Sequence, residues 1–351
     1  MIALFLCVQA LDAVHQEVDG GVAIEVESAA PAGDWKAETR LAGWTGASYY
    51  TWTGPDLFGA PGKGTLAYAF HVLHPGRYRL LLRNRHDFED STLQNDCFTR
   101  LDGGTWLKTF SSQRGQWTWA TNHEHEGGPK PPASYELSAG LHTLELSGRS
   151  RGFSVDRIHL MREGAAGGED ASRAPSPTRL EWLLGPGPYG PRAPLAARAR
   201  SGRGLGEVLA ALRRDPDGAA MRDALLRALD AEFAVARSLA DPVEALGQLD
   251  LLAAAWAGDE AGDAVRRERD ARKADPAVQA ELKAHAAWKR IADAEAALRP
   301  QNGSRDPKSE GFRRLNARAI DALLASARAL VAAHPGTAAA RRVQALLDRY
   351  R

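Results

Sequence analysis

The sequence predicts a multidomain chain, an all-β jelly-roll sandwich followed by an all-α helical bundle. Residues 22–161 hold six of the nine tryptophans and a succession of short alternating or apolar runs broken by Gly, Pro, Asn and Asp, which is the grammar of strands and turns. From Leu205 onward the composition becomes rich in Ala, Leu and Arg, with apolar residues at helical spacing. A length of 351 residues, 44% hydrophobic and 25% charged, suits two domains better than one. The formal charge of +1 lacks the basic stripe that nucleic-acid binding requires, and that class is set aside.

The chain opens on an apolar run from Met1 to Val8, with the small residue Ala10 two positions further on. This reads as a secretion signal within a leader of residues 1–17, and so as export to the periplasm, the cell surface or the exterior. Because the apolar stretch is short and no basic residue precedes it, a buried first strand is the alternative. No later segment is apolar for long enough to span a bilayer. Loss of the leader would remove Cys7 and leave Cys97 without an intramolecular partner.

The β domain is expected over 18–163, with strands at 23–27, 65–72, 77–85, 97–102, 106–110, 117–121, 141–147 and 153–160. Turn chemistry separates them at His74-Pro75-Gly76, Asp102-Gly103-Gly104 and Ser138-Ala139-Gly140. With no helix-period segment between them, these strands fit a two-sheet sandwich rather than an α/β fold. In the first strand, alternation sends Ile24 and Val26 to one face and Glu25 and Glu27 to the other. Paired with the closing run 152–160, that strand would bring both carboxylates to Asp156 in an oxygen-rich site.

Over 164–203 the periodicity disappears and Gly, Pro, Ser and Arg dominate, as expected of a linker, although Leu180, Trp182 and Leu183 form an apolar cluster suited to docking on a domain. The helical domain is expected over 204–351. Asp-Pro at 215–216, 241–242 and 275–276 places an acceptor at the N-cap and a fixed φ at the next position of successive helices. His334-Pro335-Gly336 stops one helix before the last begins, which gives about five to seven helices. One Asp-Pro spacing matches a tetratricopeptide period, but the signature of that repeat is missing.

A set of landmarks spans the first 160 residues: Ile24-Glu-Val-Glu27, Gly46-Ala-Ser-Tyr-Tyr50, Pro75-Gly-Arg-Tyr-Arg-Leu80, Leu101-Asp-Gly103, Gln116-Trp-Thr-Trp119, Ala139-Gly-Leu-His-Thr-Leu144 and Val155-Asp-Arg-Ile158. Their order resembles the galactose-binding-like jelly roll of carbohydrate-binding module families 6 and 35. The resemblance implies a structural Ca²⁺ held by Glu25, Glu27 and Asp156, in keeping with the preference of Ca²⁺ for hard oxygen ligands. Neutralisation of these acids by Arg157 or Arg40 is the alternative. It also implies a polysaccharide or glycan ligand gripped by loop aromatics, at Tyr49 or Tyr50 and at Trp117 or Trp119. Adjacent residues of an extended segment point opposite ways, so only one of Tyr49 and Tyr50 can line a cleft, whereas Trp117 and Trp119 would share a face. Burial in the core is the competing fate of each ring. Where the family usually has an asparagine, this chain has Ser154, with a shorter reach.

Arg83, Arg85 and Arg100 could form a pocket for an acidic sugar, or could pair with Asp87, Glu89 and Asp96; Arg149 and Arg151 pose the same choice. His123 and His125 stand two apart, but no further cluster completes a transition-metal site. Serine-nucleophile, phosphate-loop and His-Glu-x-x-His motifs are absent, and Cys97 has no evident base. The function the resemblance implies is non-catalytic carbohydrate binding, with the helices expected to contact another protein or the chain itself. The alternatives are a spacer or adhesion module without sugar binding, and an accessory subunit of a polysaccharide-degrading enzyme.

Overall fold

The computed structural model describes residues 13–90, 92–124, 130–299 and 306–351. The chain divides into two compact units, Met1–Ala228 and Leu229–Arg351. The boundary falls within a helix, and not at the 203–204 junction expected from composition.

The first unit carries the strands β1 Val14–Gln16, β2 Gly21–Glu25, β3 Trp35–Glu38, β4 Tyr49–Trp52, β5 Leu66–Val72, β6 Gly76–Arg85, β7 Asp96–Leu101, β8 Leu107–Phe110, β9 Asn122–Glu124, β10 Ser134–Leu137, β11 Gly140–Ser147 and β12 Ser154–Arg162. One sheet runs β1-β5-β11-β7-β8-β9 and the other β10-β6-β12-β4-β3, with β2 also on β12. Alternation fills the space between them. Leu66, Tyr68, Phe70 and Val72 of β5 join Ile24, Tyr50, Trp52, Leu80, Leu82, Val155, Ile158 and Leu160 in one buried cluster. Each such side chain, fully buried, contributes about 1.5–3 kcal/mol.

β12 organises the site. One edge pairs with β6, while the other pairs with β4 at Ser154 and Val155 and then with β2 from Arg157 to Met161. The opening and closing stretches of the sandwich therefore lie side by side, with Arg157 opposite Glu25 and Ile158 opposite Ile24. A register shift between Val155 and Arg157 leaves Asp156 as a bulge residue, a device that re-aims a side chain.

Several expectations are corrected. The first strand ends at Glu25, and Val26–Ser28 form a 3₁₀ turn. Residues 117–121 make a single bridge, Thr118 to Asn84, instead of a strand. β1 falls within the stretch read as a leader, yet it pairs in parallel with β5, and Glu17 accepts the backbone N–H groups of Leu73 and His74 at 2.6 and 2.9 Å. The expected signal run itself lies outside the described residues.

The expected linker is ordered onto the second sheet. Ser176 and Ala23 exchange hydrogen bonds at 2.8 and 3.0 Å, and Gln16 N–H donates to Pro177 O at 2.8 Å. Arg157 donates to the carbonyls of Ala171 and Arg173 at 2.6 and 2.8 Å. Helix α1 follows at Arg179–Leu184, opened by a Thr178/Glu181 capping box and burying Leu180, Leu183 and Leu184. Composition hid this order because backbone carbonyls and a buried arginine hold the segment, and neither leaves an apolar period.

The remaining helices are α2 Ala193–Ala199, α3 Leu205–Arg213, α4 Ala219–Ser238, α5 Pro242–Ala255, α6 Ala261–Ala274, α7 Pro276–Ala296, α8 Glu310–Ala333 and α9 Ala338–Arg349. Asp241 and Asp275 cap α5 and α7 as their Asp-Pro pairs require. Asp215 does not cap α4. It accepts from Arg192 at 2.7 and 3.0 Å and holds the turn before the helix. Within the second unit, Ala284 and Ile291 of α7, Phe312, Leu323 and Leu330 of α8, and Val343 and Leu346 of α9 share a core. No helix among the described residues is long and apolar enough to cross a membrane.

Candidate functional site

Two neighbouring features lie on the outward face of the second sheet, a polar shelf beside Trp117 and an acidic cluster at the bulge. The shelf follows from the pairing. Thr51 of β4 lies opposite Ser154 of β12, which lies opposite Arg85 of β6, while Glu38 of β3 lies opposite Tyr49. Residues directly opposite one another share a face, and Tyr50 and Val155, one position along, are in the core.

Thr51 Oγ1 donates to Glu38 Oε2 at 3.0 Å and stands 2.8 Å from Ser154 Oγ. A hydroxyl has one proton, so Ser154 donates to Thr51 and keeps lone pairs for another donor. Arg40 donates to both Glu38 oxygens at 2.8 and 2.9 Å, and the Tyr49 hydroxyl donates to Glu38 Oε2 at 3.3 Å. Burial by itself would lift the Glu38 carboxyl, but the donors Arg40, Thr51 and Tyr49 outweigh it and hold the group below its usual range. Arg85 pairs with Asp87 at 2.8 Å at the rim.

Trp117 forms the wall. Its Nε1 donates to Ala42 O at 3.0 Å, its ring meets Tyr49 edge to face with centroids 5.2 Å apart, and the Arg83 guanidinium lies 5.5 Å from its centroid. The ring is half-buried, so one side is propped and part of it remains available to solvent.

The expected ligand-binding residues separate. Tyr50 is in the core, its hydroxyl donating to Ala29 O at 2.7 Å, which removes it from a cleft. Tyr49 faces outward but is covered, at 0% exposure, and so supports Trp117 instead of meeting a ligand with its ring. Trp119 lies over His159 with centroids 4.4 Å apart. Ser154 is on the shelf, though only 4% exposed. Glu38 and Thr51 were missed because β3 and β4 are strands of four residues, too short to show an alternating period.

The arginines do not converge on a pocket. Arg83 pairs with Asp156, Arg85 with Asp87, Arg100 with Glu145, and Arg149 with Asp96. His123 packs against Tyr135, and His125 lies outside the described residues. Cys97 is buried, and burial first, then Asp96, pushes its thiol far above the ordinary range.

At the bulge, Glu25, Glu27 and Asp156 approach one another around the loop at Gly46, where an added Cβ would collide with Glu27 Oε1. Asp156 Oδ1 accepts Thr45 N–H at 3.0 Å, and Oδ2 meets Arg83 Nη1 at 2.5 Å and the Thr45 hydroxyl at 3.2 Å. Glu25 Oε2 lies 3.0 Å from the same hydroxyl, and Glu25 Oε1 lies 3.2 Å from Arg157 Nε. Glu27 Oε1 accepts Ala47 N–H at 2.5 Å, while Oε2 is buried without a hydrogen-bond partner. Burial lifts the Glu25 and Asp156 carboxyls above their usual range, against the pull of Arg157 on the first and of Thr45 and Arg83 on the second.

This donor set does not fit a Ca²⁺ cage. The ion needs several acceptor oxygens turned toward it, but here backbone N–H groups, a hydroxyl and the Arg83 guanidinium are turned toward the carboxylates, and the charge of Arg157 stands beside Glu25 without a hydrogen bond to it. Arg83 Nη2 also takes the Gly43 carbonyl at 2.7 Å. Among the described residues, no three His, Cys, Asp or Glu side chains are grouped so as to hold a metal ion. The structure brings Glu25, Glu27 and Asp156 together with these donors around them.

No family model matches the sequence, and no curated protein matches it. Similar solved structures include the GH26-CBM35 β-(1,4)-mannanase of Podospora anserina, 18% identical with a TM-score of 0.32 and covering 43% of this chain. This chain spans only 29% of that enzyme's length. The C-terminal CBM6 of a marine laminarinase from Zobellia galactanivorans is 18% identical with a TM-score of 0.29, over 40% of this chain and 99% of that one. A family 35 carbohydrate binding module from Clostridium thermocellum is 16% identical with a TM-score of 0.29, over 40% and 98% of the two chains.

Proposed function

We propose that the sandwich binds a polysaccharide or glycan chain without catalysis, on the outward face of β4, β12 and β6 beside Trp117. The observation that carries this reading is a half-buried indole propped beside the hydroxyl and carboxylate relay Ser154–Thr51–Glu38. The indole face suits the C–H face of a pyranose, and its fixed rotamer loses little entropy on binding. Ser154 and Thr51 offer hydroxyl oxygens, Glu38 accepts from sugar hydroxyls, and Arg85 with Asp87 can read further hydroxyls at the rim.

The charge state of Glu38 suits it to accept from sugar hydroxyls and not to serve as a hydrolytic acid. A glycosidase acid needs a carboxyl held protonated near neutral pH, and Glu38 is pulled the other way. A polymeric ligand of this kind fits an exported protein, and the helices of the second unit fit a role in protein contact, whether in adhesion or beside a polysaccharide-degrading enzyme.

A second reading, a rigid spacer that binds no sugar, is favoured by the 4% exposure of Ser154. Affinity electrophoresis of the whole protein through gels containing neutral or acidic polysaccharides separates the two. Retardation by at least one polymer that is lost in Trp117→Ala supports the binding reading. Unretarded migration through every gel sinks it in favour of the spacer.

A further inference from the structure

We propose that Arg83 and Arg157 are the resident cations of the acidic cluster, so that the opening and closing strands of the sandwich are joined without Ca²⁺. The landmarks of the β half imply a metal at this junction, and the residues of this chain depart from that expectation in a specific way.

Arg83 reaches across from β6 and divides its fork between Asp156 Oδ2 at 2.5 Å and the Gly43 carbonyl at 2.7 Å. It thereby ties the bulge of β12 to the loop that covers the cluster. Arg157, only 1% exposed, stands opposite Glu25 in the β12–β2 ladder. Its Nε lies 3.2 Å from Glu25 Oε1, and its two terminal nitrogens hold the carbonyls of Ala171 and Arg173. A guanidinium does not lose its proton in a protein, so both charges are permanent.

Three carboxylates facing two guanidiniums leave one formal negative charge. The buried, unpartnered Glu27 Oε2 is where that charge has least support. A single water donor would answer one unpartnered oxygen. A divalent ion placed there would sit among two permanent cations and the N–H groups of Thr45 and Ala47, which raises its cost. The same three acids therefore serve a different closure, with β6 and β12 supplying the positive charge from within the chain.

The test uses full-length protein freed of metal by chelator dialysis, with equilibrium dialysis against Ca²⁺ and thermal unfolding followed by tryptophan fluorescence. The expected result is no stoichiometric Ca²⁺ uptake by the wild type and a midpoint that is the same in millimolar CaCl₂ as in EDTA. In Arg83→Gln, Asp156 loses its ion pair while keeping Thr45, and the midpoint is expected to fall by roughly 5 °C or more. Uptake of about one Ca²⁺ per wild-type chain, with a midpoint raised by several degrees as ligand linkage requires and both effects lost in Glu27→Gln, would overturn the proposal. These wild-type readings stand even if Arg83→Gln fails to fold. Neither reads sugar binding, so the failure of this inference is distinct from failure of the carbohydrate reading.

Discussion

Tyr49 supports Trp117 from beneath: the two rings meet edge to face at 5.2 Å and 71°, and the tyrosine hydroxyl continues to Glu38. The indole is therefore pre-positioned by packing and polar contacts together. A ring held in this way does not have to be ordered by its ligand, which favours affinity.

Trp117→Ala is expected to weaken polysaccharide binding by about 2 kcal/mol, roughly 30-fold in Kd, as an aromatic anchor does. Isothermal titration of the two proteins with one retained polymer reads this directly. Trp119→Ala is expected to have a smaller effect, because that ring already lies over His159. Equal losses would contradict the distinction.

Tyr50→Phe should leave ligand affinity unchanged and lower stability by about 1 kcal/mol, the usual net value of a hydrogen bond, because its hydroxyl serves Ala29 O from inside the core. Urea unfolding beside a binding isotherm checks both halves. A change in affinity without a change in stability would return Tyr50 to the ligand site.

His159 makes the sandwich sensitive to acid. Burial first, with Arg157 and Arg173 adding to it against the Gly168 carbonyl, lowers its pKa to about 4, against about 6.5 in an unfolded chain. Between these values the unfolded state binds more protons, so stability is intact above pH ~6.5 and is lost as pH falls toward ~4. The full effect is on the order of 3 kcal/mol. Urea midpoints should therefore drop from pH ~6.5 to ~5, above the carboxylate range, and the drop should shrink in His159→Gln. An unchanged slope in that variant would assign the acid sensitivity elsewhere.

Arg157→Gln should cost about 3–5 kcal/mol, since it leaves Glu25 without its ion pair, and should free the carbonyls of Ala171 and Arg173. Limited proteolysis is expected to cut within 165–178 much faster in the variant. Equal cleavage rates would show that the segment is held by other contacts, such as the Ser176–Ala23 pair.

The order of long strands and the change from β to α were legible because apolar alternation and helical spacing come directly from burial. Asp241 and Asp275 were legible as helix caps because that chemistry is local. The polar shelf was not legible, because β3 and β4 are short and Glu38 meets Thr51 and Ser154 only through pairing across three strands. The acids at 25, 27 and 156 were found, and Arg157 was named as an alternative counter-ion, but Arg83 was not. Arg83 lies 73 residues before Asp156, and the bulge that aims Asp156 at it leaves no mark in the sequence.

The segment that follows β12 also resets where the sandwich ends. Composition would place a cut after Glu163, but a fragment ending there would strip the cover from His159 and leave the buried fork of Arg157 with nothing to hold. Ending instead beyond Leu184 keeps the clasp on β2, the rung to β1 and the first helix, so the smallest piece worth isolating extends some twenty residues past the last strand of the sandwich.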